Sequence, residues 1–324
     1  MDYVAGIDLG GTSAKLGLVD SAGRILARDR VPIDPAADAG RIIAPILHAV
    51  RGLLSRMAST DRLAAVGLGT PGFVDVATGM LSGSENLPGM METPIFRLLA
   101  EGLGVAAFVD NDANCAAEGE LAFGAGRQFS SFLLATVGTG IGGGLVLGGR
   151  VWRGARGFAG EIGHMCLDPL GPWCPCGARG CLEQYAAGPA IVRLYQSKVG
   201  QRGPATPVES PEEVARRAAA GDELAREAFS EAARALAQAF GSVLDLLNLD
   251  ACLVGGGVAA AGDILLEPLR RHLPDFVYPL VGERVTVTPA ALGNDAGLLG
   301  AAALAFGADA GGKRPPAGFD GAGR

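Results

Sequence analysis

The sequence predicts an α/β protein of two similar lobes with a cleft between them, and three observations predict it. Short apolar runs joined by glycine turns open the chain, segments of strand and helix period then alternate, and after Gly126 the same programme starts again. The opening hairpins exclude a purely parallel sheet, and the junction of two such lobes is where ligands usually sit.

Residues 3–9 read as a strand, Gly10-Gly11-Thr12 as a tight turn, 14–19 as the returning strand, and Ser21-Ala22-Gly23 as the turn into a third strand at 24–31. A helical period covers 39–57, followed by a strand at 63–68, a helix at 95–103, a strand at 106–109 and a helix over about 113–123. The second programme has strands at 132–137 and 141–147 around Gly138-Thr139-Gly140, then Gly148-Gly149 as a further turn. Helical patterns occupy 186–198 and 212–247, the latter broken near Gly221; a buried strand at 251–254 runs into Gly255-Gly256-Gly257. A helix at 264–273, a strand at 284–288 and a closing helix at 296–306 complete the order. The expected division is a first lobe at 1–117, joined by the closing helix at 296–308, and a second at 118–295; the glycine- and proline-rich stretch 309–324 reads as a disordered tail.

With 324 residues, 49% of them hydrophobic, the chain can bury a large core. It holds no apolar run near the roughly eighteen residues of a membrane span, and no basic signal-peptide head precedes the first strand, so a cytoplasmic protein without a membrane partner is expected. In that compartment the six cysteines point to metal rather than to disulfides. A net charge of −7 without any run of lysine or arginine argues against nucleic acid as a partner. ATP remains compatible, since backbone amides and a metal ion can supply the positive potential it needs.

Gly138, Gly140 and Gly143 match G-x-G-x-x-G, but a strand follows instead of a helix, which excludes a dinucleotide-binding turn; G-x-x-x-x-G-K-[ST] does not occur. Two equivalent turns remain, Gly10-Gly11-Thr12 after Asp8 and Gly138-Thr139-Gly140 after Thr136. Either could be a plain hairpin turn. Together they suit phosphate, because glycine lets backbone N–H groups approach oxygens closely and threonine adds a hydroxyl donor. Asp8 is placed to hold Mg²⁺ through water.

The strand at 106–109 ends in Asp110-Asn111-Asp112-Ala113-Asn114. Such residues favour helix N-caps; at a cleft edge, a carboxylate there could instead take the proton of an attacking alcohol while asparagine holds hydroxyls. Asp112 is the expected base, with Asp110 as the alternative. Phosphoryl transfer needs only this positioning, neutralised phosphates and one proton acceptor.

Cys174-Pro175-Cys176 and Cys181 form C-x-C-x₄-C, with His164 ten residues upstream of Cys174. Three thiolates and an imidazole fill a tetrahedral structural Zn²⁺ site, with Cys166 competing for the fourth position. Glu161 and Glu183 flank the cluster, and a loop made rigid by metal would suit carboxylates that bind hydroxyls.

These residues resemble the ROK family of repressors and sugar kinases. The resemblance runs through Asp8-Leu9-Gly10-Gly11-Thr12, Gly69-Thr70-Pro71-Gly72, Glu85-Asn86-Leu87, Asn111-Asp112-Ala113-Asn114, residues 138–144 and 159–164, and Cys174 to Glu183. It implies the duplicated actin-like ATPase (ribonuclease-H-like) fold, a homodimer or homotetramer, and ATP-dependent phosphorylation of a hexose with Asp112 as base. It also implies sugar contacts from Gly72, Asn86, Asn111, Glu161, His164 and Glu183, with His164 serving zinc and sugar through different ring nitrogens. Gly10, Gly11, Thr12, Thr136, Gly138 and Thr139 match the family's phosphate turns, and Gly255, Gly256 and Gly257 its nucleotide side. Within the family the chain most resembles bacterial glucokinases, which implies glucose as substrate, with fructose, mannose, allose, N-acetylmannosamine or N-acetylglucosamine as alternatives. Met90 stands at the implied wall of the sugar pocket, where such proteins often have tryptophan.

Two readings compete. A sugar-sensing repressor of the same family would carry a helix-turn-helix segment, and only Met1 and Asp2 precede the first strand here. A zinc-organised scaffold without catalysis would leave Asp112 as a helix cap.

Overall fold

Each half of the molecule is a five-stranded mixed sheet, and the two sheets repeat one strand order. The computed structural model describes residues 2–58, 61–75, 78, 80–84, 86–201 and 207–307; the stretch 309–324 lies outside them, as does Glu85. In the first half β1 (Asp2–Leu9), β2 (Ser13–Val19) and β3 (Ile25–Pro32) form consecutive antiparallel pairs. Helix α1 (Ala39–Leu54) starts at Asp38, whose side chain accepts the Arg41 N–H, and buries Ile42, Ile43, Ile46, Val50 and Leu53 at helical spacing.

The chain returns in β4 (Arg62–Thr70), parallel to β1, and makes a small hairpin of β5 (Phe73–Val74) and β6 (Leu81–Gly83). Helix α2 (Ile95–Leu103) then leads into β7 (Ala106–Asn111), parallel to β4, which gives the order β3-β2-β1-β4-β7. Helix α3 (Asp112–Phe123) follows directly.

The second half repeats this with β8 (Phe132–Val137), β9 (Ile141–Leu147) and β10 (Arg150–Val151). A long loop and four helices follow: α4 (Glu183–Ala186), α5 (Gly188–Gly200), α6 (Pro211–Ala219) and α7 (Glu223–Leu247). Then come β11 (Ala251–Gly255), α8 (Asp263–His272), α9 (Pro279–Gly282) and β12 (Thr286–Pro289), in the sheet order β10-β9-β8-β11-β12. The expected break near Gly221 falls between α6 and α7, where Asp222 caps the second helix by accepting from the Leu224 and Ala225 N–H groups.

The helical pattern at 186–198 divides at Ala187, which is extended (φ −68, ψ 162), with a proline opening the next helix. The last strand starts at Thr286, two residues later than the apolar pattern suggests, because the N–H groups of Arg284 and Val285 close turns onto Val281 and Gly282.

The sheets are joined by α3 and the closing helix α10 (Ala296–Gly307). Helix α10 lies on β1 and β4, while α3 packs against β8 and β9 as well as β4. The two helices meet at Gly119 and Gly300 with nothing between their backbones: a Cβ on Gly300 would overlap the Cys115 carbonyl, and one on Gly119 would come within 2.7 Å of the Ala296 carbonyl oxygen. The fully buried Glu120 adds a polar tie, its carboxylate accepting the N–H groups of Ala125 (2.7 Å), Ala291 (3.1 Å) and Leu292 (2.8 Å). Among the described residues no helix is long and apolar enough to cross a membrane.

Gly300→Ala is therefore expected to force α3 and α10 apart and to destabilise the protein by about 1–3 kcal/mol, the usual cost of overpacking. Denaturant unfolding measures this; an unchanged midpoint would show that the helices can separate without loss.

Candidate active site

A cleft of about 880 Å³ opens between the two sheets. From the first half Gly72, Asn86, Asn111 and Asp112 reach it; from the second come Thr136, Gly138, Thr139, Glu161, His164, Glu183 and Gly256. A smaller cavity of about 190 Å³ lies beside it, lined by Asp8, Lys15, Asp112, Thr136, Gly255, Gly256, Asn294 and others. Asp112, Thr136 and Gly256 line both. Gly257 lines a third cavity of about 170 Å³, with Pro211, Glu212 and Phe229. Gly10, Gly11 and Thr12 line none of these three: Gly11 backs onto Asn86, and the Thr12 carbonyl accepts the Ile33 N–H at 2.9 Å.

The β7–α3 junction orients the first group. Asn111 is the helix cap, its Oδ1 accepting from Ala113 (2.8 Å) and Asn114 (3.2 Å), while its Nδ2 donates to the Gly72 carbonyl at 3.2 Å. Asp112 is thus the first helical residue, aimed into the space between the cavities. Burial pushes its carboxyl up to about 6, and the negative charges of Asp8 and Glu161 add to the rise against the opposing Ala113 N–H. That value suits a base working near neutrality.

Asp110 has the opposite environment. Its carboxylate is nearly buried and accepts Arg153 Nε at 2.5 Å, Asn114 Nδ2 at 3.0 Å and the Asn111 N–H at 2.8 Å, and it lines neither the cleft nor the smaller cavity. Its oxygens are taken up by these donors, whereas Asp112 faces both cavities.

The second group sits on a short helical turn and on α4. Glu161 Oε2 and His164 Nε2 lie 4.0 Å apart, and burial raises the Glu161 carboxyl against the influence of His164. Glu183 Oε2 accepts the Ile141 N–H at 3.0 Å, which ties α4 to the glycine turn between β8 and β9. The other imidazole nitrogen, His164 Nδ1, is 3.8 Å from Cys174 Sγ, and Cys176 Sγ is 3.7 Å from Cys181 Sγ. The ligand atoms of His164, Cys174, Cys176 and Cys181 all lie within 4.8 Å of one another.

This donor set fits zinc: Zn–S bonds of about 2.3 Å in a tetrahedron place sulfurs about 3.8 Å apart. Burial pushes the Cys181 thiol up to about 12, with Cys176 and Cys174 adding to the effect, and a bound cation would favour its thiolate. Cys166 is exposed and pairs through its backbone with Cys181, outside the cluster.

Residues 4–308 match the ROK family. The chain belongs to the ROK family. A glucokinase of Thermotoga maritima is 34% identical over 307 residues, covering 92% of this chain and 96% of its own. The crystal structure of a ROK hexokinase from Thermus thermophilus is 38% identical, with a TM-score of 0.78 over 95% of this chain and 99% of that one. A ROK family glucokinase from Streptomyces griseus, solved with glucose and AMPPNP, is 33% identical with a TM-score of 0.79 over 94% and 99% of the two chains. The two repeated sheets are those of the actin-like ATPase fold.

Two features of this ROK protein differ from the reading of its sequence. Met90 is fully buried in the first core and does not form the cleft wall; its neighbour Met91, half-exposed, lines the cleft instead. Lys15 belongs to none of the motifs, yet its Nζ donates to Asp8 Oδ2 at 3.0 Å and to the Asn294 carbonyl at 3.1 Å inside the smaller cavity. Strand alternation could have found it, since Lys15 interrupts the apolar run of β2 directly opposite Asp8.

A raised carboxyl is also a stability statement. The Asp112 carboxylate is disfavoured in the native state relative to an unfolded value near 3.8, so the cost appears as pH rises from about 4 and is complete above about 6. Asp112→Asn is expected to be more stable than the wild type by about 1–3 kcal/mol at pH 8, with the gain vanishing below pH about 4. Paired unfolding curves across pH test this, and a gain independent of pH would contradict it.

Proposed function

We propose that the protein transfers the γ-phosphoryl group of ATP to a hexose hydroxyl, that of glucose C6 foremost, with Asp112 as general base. One observation carries this reading: the Asp112 carboxyl, raised to about 6, lines both a large cleft that also holds Asn86, Asn111, Glu161, His164 and Glu183 and a smaller cavity bearing Lys15 and Asp8. Glucokinases and a hexokinase among the ROK relatives, one of them bound to glucose and AMPPNP, support the substrate class.

In this mechanism the hexose occupies the cleft, and Asn86, Asn111, Glu161, His164 and Glu183 offer donors and acceptors to its hydroxyls. The reacting hydroxyl gives its proton to Asp112 as its oxygen bonds to the γ-phosphorus and the bond to the β-phosphate oxygen breaks, releasing ADP. Lys15 and the backbone at Gly138, Thr139, Gly255 and Gly256 stand ready to hold phosphate oxygens. Mg²⁺, when bound with ATP, neutralises phosphate charge, and Asp8, one oxygen of which already engages Lys15, suits a contact through water. Closure of the cleft would keep water from taking the phosphoryl group.

His164, Cys174, Cys176 and Cys181 would hold zinc with all four positions filled by the protein, so the metal would be structural and would keep Glu161 and Glu183 in place. Unoxidised thiols and an ATP-dependent reaction both suit the cytoplasm.

An ADP-release assay over hexoses and amino sugars, with ATP, GTP and polyphosphate as donors, is expected to give the highest kcat/KM with glucose and ATP. Inactivity toward the whole panel would overturn the reading. Asp112→Asn should lower kcat by about 10²- to 10⁴-fold while sugar binding persists, and wild-type kcat/KM should fall below an apparent pKa near 6 as the base takes up its proton. Metal analysis should find about one zinc per chain, and its removal should weaken sugar binding more than ATP binding; active protein without zinc would refute the structural role.

A further inference from the structure

Arg153 begins the loop that leads from β10 to Glu161, and it is tied at both ends of that loop. Its carbonyl accepts the Ala159 N–H at 3.1 Å, closing the loop two residues before Glu161. Its side chain, 15% exposed, crosses to the other half of the molecule and donates from Nε to Asp110 at 2.5 Å, two residues before Asp112. The same guanidinium donates from Nη1 to the Val151 carbonyl at 3.2 Å and lies 3.5 Å from Glu118 of α3. A second contact spans the halves at the cleft mouth, where the rings of Phe158, in this loop, and Phe73, in β5, lie 5.0 Å apart at 59°. Phe73 follows Gly72, whose carbonyl receives the Asn111 amide.

A buried ion pair is weak evidence for a stabilising role, since apolar residues of similar volume commonly serve as well. What this pair does supply is direction: a planar guanidinium fixes the angle as well as the distance between its partners. We propose that Arg153 is a positioning residue that sets the Glu161–His164 arm relative to the Asp112 base, with Phe158 on Phe73 as a second tie at the mouth of the cleft. Its object is therefore the sugar. The strap touches neither Lys15 nor the glycine turns on the phosphate side. The inference rests on the sugar-kinase reading, and it adds a residue outside the cleft lining to that reaction.

Replacing Arg153 alone would strand the buried Asp110 charge and confuse a loss of folding with a loss of positioning, so the deciding variant removes that pair together, Arg153→Met with Asp110→Asn, leaving Glu118, whose side chain is 25% exposed, with access to water. The full-length zinc-loaded protein is assayed by steady-state kinetics with glucose and ATP varied separately, alongside thermal unfolding. The expected result is a near wild-type unfolding midpoint, a glucose kcat/KM lowered by about 10- to 100-fold, and an ATP KM within about twofold of wild type. Phe158→Ala, at a half-exposed ring, should fold in any case and raise the glucose KM by about three- to tenfold. Wild-type glucose kinetics in the double variant, or equal losses in the glucose and ATP parameters, would overturn the proposal. A wild-type protein inactive on every sugar would instead fail the kinase reading, which separates the two outcomes.

Discussion

The contact between α3 and α10, backbone against backbone at Gly119 and Gly300, is the constraint on which the cleft depends. Helix α10 rides on β1 and β4 of one sheet, and α3 reaches β8 and β9 of the other, so the distance between these two helices sets the distance between the sheets. Asp112 is the first residue of α3. Its position is therefore fixed by close packing in the interior and not by a surface loop, and close-packed interiors have few alternative arrangements.

From that placement the chemistry follows by way of solvent. Asp112 and Asp110 are the same residue type two positions apart, yet one is desolvated without a cation and the other is desolvated against Arg153. Burial raises the Asp112 carboxyl, whereas the Asp110 oxygens are occupied by a guanidinium and two amide donors. The fold thus gives two aspartates within a single turn of chain different surroundings, one facing the cavities and one held by Arg153, the pattern by which one type of side chain can take two roles. The facing loop shows the same economy: His164 turns one nitrogen toward the sulfurs and the other toward Glu161, so one side chain links the cysteine cluster to the cleft.

Much of this was legible because it is local. The glycine turns, the Asp-Asn-Asp stretch and the C-x-C-x₄-C spacing each state a chemistry within a few residues, and the strand programme repeats plainly enough to show duplication. What escaped was short or distant. The β5–β6 hairpin has strands of two and three residues, too few to establish an alternation, yet it brings Phe73 to the cleft. Lys15 looks like an ordinary charged residue in a strand until β1 places Asp8 beside it and the approach to α10 brings up the Asn294 carbonyl. Met90 and Met91 differ only in which way a short helical turn faces them, and no linear pattern shows that.

The sequence by itself determined the fold class, the repeat, the phosphate-suited turns on the second half, and which residue types could act as base or bind a metal, because backbone conformation and ligand chemistry are properties of short segments. Only the tertiary structure placed Asp112 at the cleft and Asp110 against Arg153, gathered His164 with Cys174, Cys176 and Cys181 while leaving Cys166 outside, and separated residues that line the cleft from those that support it, such as Gly11. The reason is physical: burial, charge environment and exposure depend on residues far along the chain, and those neighbours, Arg153 for Asp110 and both Asp8 and Glu161 for the buried Asp112, lie more than forty positions away.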